Sequence, residues 1–426
     1  MTIHQLYQLF LSSSGVSTDT RKITPNSIFF ALKGDNFNGN TFAAAALEAG
    51  AQYAVVDEEP QTAHERIIKV DDVLVTLQQL ANHHRNRIPA KIIGITGTNG
   101  KTTTKELVNA VLGSHYVTRA TAGNLNNHIG VPLTLLSFQG NEEFGIIEMG
   151  ANHVGEIAEL CAICDPDYGI ITNVGRAHLE GFGSFENIIA TKKGLYDHIA
   201  AQNGVIFLNS GNEILGDNEV KHRVYYGAQD SDECQGKILD ASPFVKLEII
   251  NPEGTIRVQT NLIGTYNFEN ILAAACIGGF FNVPLQRIRH SLETYQPTNN
   301  RSEFRKTGKN SLILDAYNAN PSSMEKAIEN FAEMDQPNKL AILGDMFELG
   351  DDSPALHGEI AEKAKNSGVE TLFVGTDFYN THPDEKGYYR NIEDLIAAIQ
   401  ESPLENRTIL IKGSRGIKLE RLVEFL

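Results

Sequence analysis

The sequence predicts an α/β protein of three domains, with a phosphate-loop sheet at the centre and a second nucleotide-type sheet towards the C-terminus. Three observations carry this. A chain of 426 residues is longer than one hydrophobic core usually serves, and three domains suit it. Short apolar strands alternate with helical patterns, which implies largely parallel, doubly wound sheets. Residues 91–103 read KIIGITGTNGKTT, an apolar strand that runs directly into a glycine loop.

The first domain is expected over residues 1–88. Short strands at Ser27 to Leu32 and Tyr53 to Val56 flank an alanine-rich helix, Phe42 to Ala49, and a further helix runs from Val73 to Asn86. The polar run His83-His84-Arg85-Asn86-Arg87 ends at Pro89, a breaker that fits a domain boundary. The second domain, 89–298, carries strands at Ile92 to Ile95, Phe144 to Glu148, Tyr168 to Thr172 and Val205 to Leu208. The third, 299–426, repeats the pattern at Leu312 to Leu314, Leu340 to Leu343, Leu372 to Val374 and Ile409 to Ile411. In open sheets of this kind ligands bind beyond the carboxyl ends of the strands. Those ends carry Lys101, Glu148, Asn173 and His178 in one sheet and Asp315, Asp345, Thr376 and Lys412 in the other. Two such sheets suggest a cleft between them.

Composition excludes several classes. With 53 acidic against 36 basic residues the formal charge is -17, and no Lys/Arg run resembles a nucleic-acid footprint or a polybasic membrane patch. No window approaches eighteen uninterrupted apolar residues, so neither nucleic acid nor membrane insertion is expected, and a cytoplasmic, soluble protein is. Four cysteines make no disulfide framework. Cys161 and Cys164 have C-x-x-C spacing but fall within an apolar helical pattern, and Cys234 and Cys276 supply no second pair.

The glycine loop is suited to a nucleotide triphosphate. Gly97, Thr98, Asn99 and Gly100 can turn backbone N–H groups onto phosphate, and the helix beginning at Lys101, Thr102 and Thr103 offers its positive end. Lys101 would neutralise phosphate and Thr102 ligate magnesium. The strict phosphate-loop pattern requires a glycine five residues before Gly100, where Ile95 stands, so the motif is met in a shortened form. Glu148, after Ile146-Ile147, would emerge beside the loop as a hard oxygen ligand, its plainer reading being a solvated strand-end acid. His178 in a glycine-rich loop and Lys192 in a helix read equally as polar surface. Asp315 ends a strand just ahead of the helix start Asn320-Pro321-Ser322. Asn267 and Asn270 would serve simply to cap an alanine-rich helix. Lys412-Gly413-Ser414-Arg415 suits a carboxylate or phosphate, or is an exposed basic turn. Thr18, Asp19, Thr20 and Arg21, with Lys33, would grip a diphosphate or form an ordinary turn.

Together TGTNGKTT, GNLNNHIGVP, EMGANHVGEI, HLEGFGS, DAYNANPSSM, LGDMFELG and IKGSRG resemble the Mur ligases of peptidoglycan synthesis, in family order and along the whole chain. The resemblance implies an N-terminal domain holding uridine diphosphate, a central ATPase domain and a C-terminal Rossmann-like domain. It implies ATP and Mg2+ as cofactors, UDP-N-acetylmuramoyl-tripeptide and D-alanyl-D-alanine as substrates, and a monomer. Thr18, Asp19, Thr20, Arg21 and Lys33 would then meet the uridine diphosphate, and Asn126 and Asn127 the sugar-peptide. Thr102, Glu148, His178 and Lys192 would hold metal, Lys192 as a carbamate, with Lys193 the neighbouring alternative. Asn267, Asn270, Arg301 and Asp315 would reach ATP, while Tyr317, Asn318, Asn320, Lys412, Ser414 and Arg415 would face the dipeptide. Asn40, Tyr266 and Asn300 depart from residues frequent in the family. The rival readings are a sister ligase with another acceptor, such as a polyglutamylating enzyme, and a nucleotide-binding switch that makes no bond.

Overall fold

The structure, a computed structural model, describes residues 1–60, 64–297, 301–383 and 385–426. Its strands form three principal sheets of four, nine and six strands, with a two-stranded ribbon at Lys33–Gly34 and Phe37–Asn38. The first sheet is wholly parallel, in the order Val16–Ser17, Ile28–Phe30, Tyr53–Val56, Ile67–Lys69. The candidates from Thr18 to Arg21 follow its first strand.

The first sheet does not stand alone. Helix Val73–Arg85 starts where the Asp72 carboxylate accepts the Val75 N–H at 2.8 Å. Its buried side, Val73, Leu77, Leu80 and Ala81, shares one core with Val131 and Leu135 of helix Gly130–Leu135 and with Ile157, Leu160 and Cys161 of helix Glu156–Cys164. Polar groups pin the same junction. Arg85 donates to the carbonyls of Cys164 and Asp165 and to the Asp167 carboxylate, and His84 Nε2 lies 3.1 Å from the Phe138 carbonyl.

The central sheet has Lys91–Thr96 between Tyr168–Ile171 and Phe144–Glu148, all parallel. Residues 92–96 are buried on both faces, which is why this strand reads as an unbroken apolar run. Val205–Asn209 and His222–Gly227 extend the parallel part. Beyond them the sheet departs from the expected doubly wound pattern. Cys234–Asp240, Phe244–Asn251 and Gly254–Ile263 form an antiparallel meander that widens one edge. Its residues alternate, with Val245, Leu247 and Ile249 buried. The third sheet runs Glu303–Lys306, Ser311–Asp315, Thr408–Lys412, Lys339–Gly344, Glu370–Val374, Tyr388–Tyr389, antiparallel only at its first pair. The expected boundary at 298/299 lies outside the described residues, as does Asn300. All four cysteines are free and buried, and among the described residues no helix is long and apolar enough to cross a membrane.

Candidate active site

A cavity of about 620 Å3 opens where the carboxyl ends of the central and C-terminal sheets face each other. Its floor is the glycine loop. Gly97 has φ +145° and Gly100 φ +80°; a Cβ at Gly97 would stand 1.9 Å from Thr172 Oγ1, and one at Gly100 2.5 Å from Asn270 Oδ1. Only glycine fits either position. The N–H groups of Thr98 and Asn99 are taken by the Asn173 carbonyl (2.9 Å) and side-chain oxygen (3.0 Å). The donors left for a phosphate therefore centre on the start of helix Lys101–Gly113, whose first N–H groups have no partner within the helix.

Two ammonium groups share the Gly97 carbonyl, Lys101 Nζ at 2.8 Å and Lys192 Nζ at 3.2 Å. Lys101 donates also to the Thr98 carbonyl, and its pKa is lowered by burial, with Arg301 adding to the shift and Glu148 opposing it. Lys192, on helix Phe185–Ala201, is buried beneath the loop and does not line the cavity. Burial first and the Lys101 charge second bring its pKa down to about 7. Lys193 points elsewhere, to Asp217.

Glu148 is 1% exposed, so the solvated-acid reading fails. Its Oε1 accepts from Thr102 Oγ1 at 3.1 Å and Asn126 Nδ2 at 2.8 Å, while its Oε2 is buried with no partner. A bare buried carboxylate oxygen is costly unless a cation meets it. His178, half-buried with φ +52°, places Nδ1 against the Glu348 carboxylate from the C-terminal sheet's side, a contact that holds the Glu348 pKa below the usual carboxylate range.

Asn267 and Asn270 are buried; Asn267 stands at the N-cap position of helix Phe268–Phe280, but its side chain makes no cap bond, and Asn270 lies within the helix. Asn267 Nδ2 donates to the Ile263 carbonyl (2.8 Å), and Asn267 Oδ1 accepts from the Asn270 side-chain Nδ2 at 3.0 Å rather than from a backbone N–H of the helix. Arg301 lays its guanidinium 3.8 Å from the Tyr317 ring centre, with Arg415 at 5.5 Å from the same ring. The exposed-turn reading of Lys412 fails as well, since it is 2% exposed and donates to Asp315 at 2.6 Å. Ser414 is buried and accepts the Phe347 N–H.

Of the expected residues, Thr98 to Thr103, Asn126, Asn127, Glu148, His178, Asn267, Asn270, Arg301, Asp315, Tyr317, Asn318, Asn320 and Lys412 line this one cavity. Thr18, Asp19, Thr20, Arg21, Lys33, Ser414 and Arg415 do not. Asp19 accepts from Arg21, which lowers its pKa to about 2, and Lys33 lies 3.1 Å from Asp57. Asn40 bonds the same Asp57 at 2.8 Å, and Tyr266 reaches Ser302 Oγ at 3.1 Å. Glu348, Ser302 and Lys326 line the cavity unforeseen. For Glu348 the signal was present, in the polar stretch GDMFELG that follows an apolar strand.

A shortened phosphate loop, a buried acid with an unmet oxygen and a second sheet closing over both define a phosphate-loop ligase with three sheets. The chain belongs to the Mur ligase family. Residues 12–85 match the Mur ligase family catalytic domain, 95–278 the Mur ligase middle domain and 300–415 the Mur ligase glutamate ligase domain. The UDP-N-acetylmuramoyl-tripeptide--D-alanyl-D-alanine ligase of Bacillus subtilis (strain 168) is 34% identical over 97% of this chain and 93% of its own length. The ligase of the same name from Escherichia coli (strain K12) is also 34% identical, over 98% and 94%. Among solved structures, MurF from Acinetobacter baumannii superposes with a TM-score of 0.88 at 28% identity, over 99% of this chain and 98% of that one. MurF from Thermotoga maritima in complex with ADP gives 0.86 at 25% identity, over 98% and 97%.

Proposed function

We propose that this protein is an ATP-dependent ligase that joins D-alanyl-D-alanine to UDP-N-acetylmuramoyl-tripeptide in peptidoglycan synthesis. The likeness to ligases of that name, sustained over nearly the whole chain at 34% identity, supports the substrates. The observation that carries the chemistry is the single cavity in which Lys101 and Glu148 of one sheet face Asp315 and Lys412 of the other.

The terminal carboxylate of the tripeptide attacks the γ-phosphorus of ATP, the bond to the β,γ-bridging oxygen breaks, and ADP leaves. Lys101 and the helix N-terminus stabilise charge on the transferred group. The dipeptide amine then attacks the acyl carbon of the acyl phosphate, inorganic phosphate departs, and the nitrogen loses a proton as the amide forms. Arg301, Asn267 and Asn270 bind the nucleotide, Tyr317, Asn318, Asn320, Lys412, Ser414 and Arg415 orient the dipeptide, and Asn126 and Asn127 meet the sugar-peptide. The residues at the first sheet's edge, Thr18 to Arg21 and Lys33, hold the uridine diphosphate.

The unpartnered Glu148 Oε2 fits a divalent cation, with Thr102, His178 and Lys192 as the other ligands. Magnesium bound there supplies positive charge that offsets the phosphate oxygens. Among the described residues no three His, Cys, Asp or Glu side chains form a ready cage. A carbamate on Lys192, formed when its amine adds to carbon dioxide and loses a proton, supplies the missing anion. ATP-dependent phosphate release with the tripeptide, with and without D-alanyl-D-alanine, together with product mass, tests the assignment. Release that requires the dipeptide and yields a pentapeptide supports it; release indifferent to the dipeptide overturns it.

A further inference from the structure

The phosphate loop and the C-terminal sheet are tied by a closed ring of three hydrogen bonds. Asn320 Nδ2 donates to Asn99 Oδ1 at 2.9 Å, Asn99 Nδ2 donates to Ser322 Oγ at 3.0 Å, and Ser322 Oγ donates to Asn320 Oδ1 at 2.9 Å. The ring joins residues 221 and 223 positions apart. Its orientation is determined: Asn320 Oδ1 also accepts the Ser323 N–H at 2.9 Å as cap of helix Pro321–Glu333, so Nδ2 must face Asn99, and the Asn99 amide can face only one way. Each member donates once and accepts once, an arrangement in which the bonds strengthen one another.

Asn99 sits at the crest of the loop, between Gly97 and Gly100, yet its polar groups are spoken for. Its N–H goes to Asn173, and its carbonyl accepts from Thr172 Oγ1 at 2.7 Å and Asn173 Nδ2 at 3.0 Å. What the side chain reads is the other sheet. Ser322 lies at the helix's first turn, outside the cavity lining, and its Oγ would stand 3.1 Å from a Cβ at Gly175, on the loop that follows Asn173.

We propose that Asn99, Asn320 and Ser322 form a latch through which the phosphate loop registers the seating of the C-terminal sheet, with Asn99 and Ser322 as positioning residues. The inference rests on the ligase reading above and adds a consequence to it. With the latch made, the acyl phosphate is shielded until the amine attacks. With it broken, the cleft opens more often and water attacks the acyl carbon instead; phosphate leaves, the tripeptide carboxylate is regenerated and no amide forms.

The test uses the full chain and measures phosphate released per amide formed, with small-angle scattering of the fully liganded protein. Ser322→Ala leaves the helix cap of Asn320 intact. It is expected to raise phosphate released in excess of amide by on the order of 3- to 10-fold, the effect of losing one hydrogen bond on a two-state closure, to enlarge the liganded particle, and to keep ADP affinity within about twofold. Ser322→Thr retains a hydroxyl and restores the parent ratio. Asn99→Ala acts in the same direction and adds little to Ser322→Ala, because either change opens the ring. A parent-like ratio and particle size in Ser322→Ala overturn the latch. A parent protein that forms no amide overturns the ligase reading instead, so the two failures are distinct.

Discussion

In the proposed mechanism Glu148 is the residue on which metal binding would turn, because a folded chain that buries an unpaired carboxylate oxygen has stored a cost that a cation relieves. Glu148→Gln keeps an acceptor for Thr102 and Asn126 and removes the charge. Without magnesium the variant should be as stable as the parent or up to about 1 kcal/mol more so, while ligation falls on the order of 100-fold or more. Thermal melts with and without magnesium and an ATP analogue check this: a variant that keeps the parent's metal-dependent rise in melting temperature refutes the role. Lys192 and Lys193 are adjacent in sequence but differ in surroundings, one beneath the loop and the other turned to Asp217. Lys192→Ala is expected to lose on the order of 100-fold in kcat, and Lys193→Ala less than about twofold, as for a surface residue. Equal losses would place the functional amine elsewhere.

At the scale of the element, the loop between strand Lys91–Thr96 and helix Lys101–Gly113 works because two glycines accept backbone angles and approaches that no side chain tolerates. Gly97→Ala meets Thr172 Oγ1, itself engaged with the Asn99 carbonyl, at a φ of +145°. A destabilisation of about 1–3 kcal/mol and lost ADP binding are expected; a variant that melts and binds like the parent would show the loop to be more pliant than its contacts indicate. This loop was legible in the sequence, as were the parallel strands, since a strand buried on both faces must be apolar throughout and its polar successor must emerge at the sheet's edge. The antiparallel meander was legible in principle, through the alternation of Phe244–Asn251 and the Asn251-Pro252-Glu253-Gly254 turn, but it interrupts the αβ rhythm on which the doubly wound expectation rests. The Asn99 ring was not legible at all, because asparagine and serine carry no pattern and their partners lie more than 220 residues away.

On the scale of the whole molecule the three expected domains are unequal. One face of the first sheet packs a small core of its own, with Phe29, Ala46, Leu47 and Val56, but its larger core is continuous with that of the central sheet through helix Val73–Arg85, and the buried Arg85 finds its acceptors at Cys164, Asp165 and Asp167. Cut away at residue 88, that guanidinium would lose acceptors that lie outside the fragment, and the apolar side of the helix would face water. The C-terminal sheet has two cores, one wholly its own and the other joined from outside chiefly by Ile263, with Leu179 and Phe244 packed against it. A fragment of residues 1–88 is therefore expected to be unfolded by circular dichroism, and one of residues 301–426 to fold and melt cooperatively. Calorimetry of the intact chain should resolve two transitions, one for residues 1–297 together and one for the C-terminal sheet. Ligands that span the cleft bind only when both parts are folded, so an ATP analogue with tripeptide should raise the C-terminal transition by mass action, by about 2.7 kcal/mol at a hundredfold excess over Kd. A folded 1–88 fragment would instead make the first segment a separate moving body, and closure would then involve two hinges rather than one.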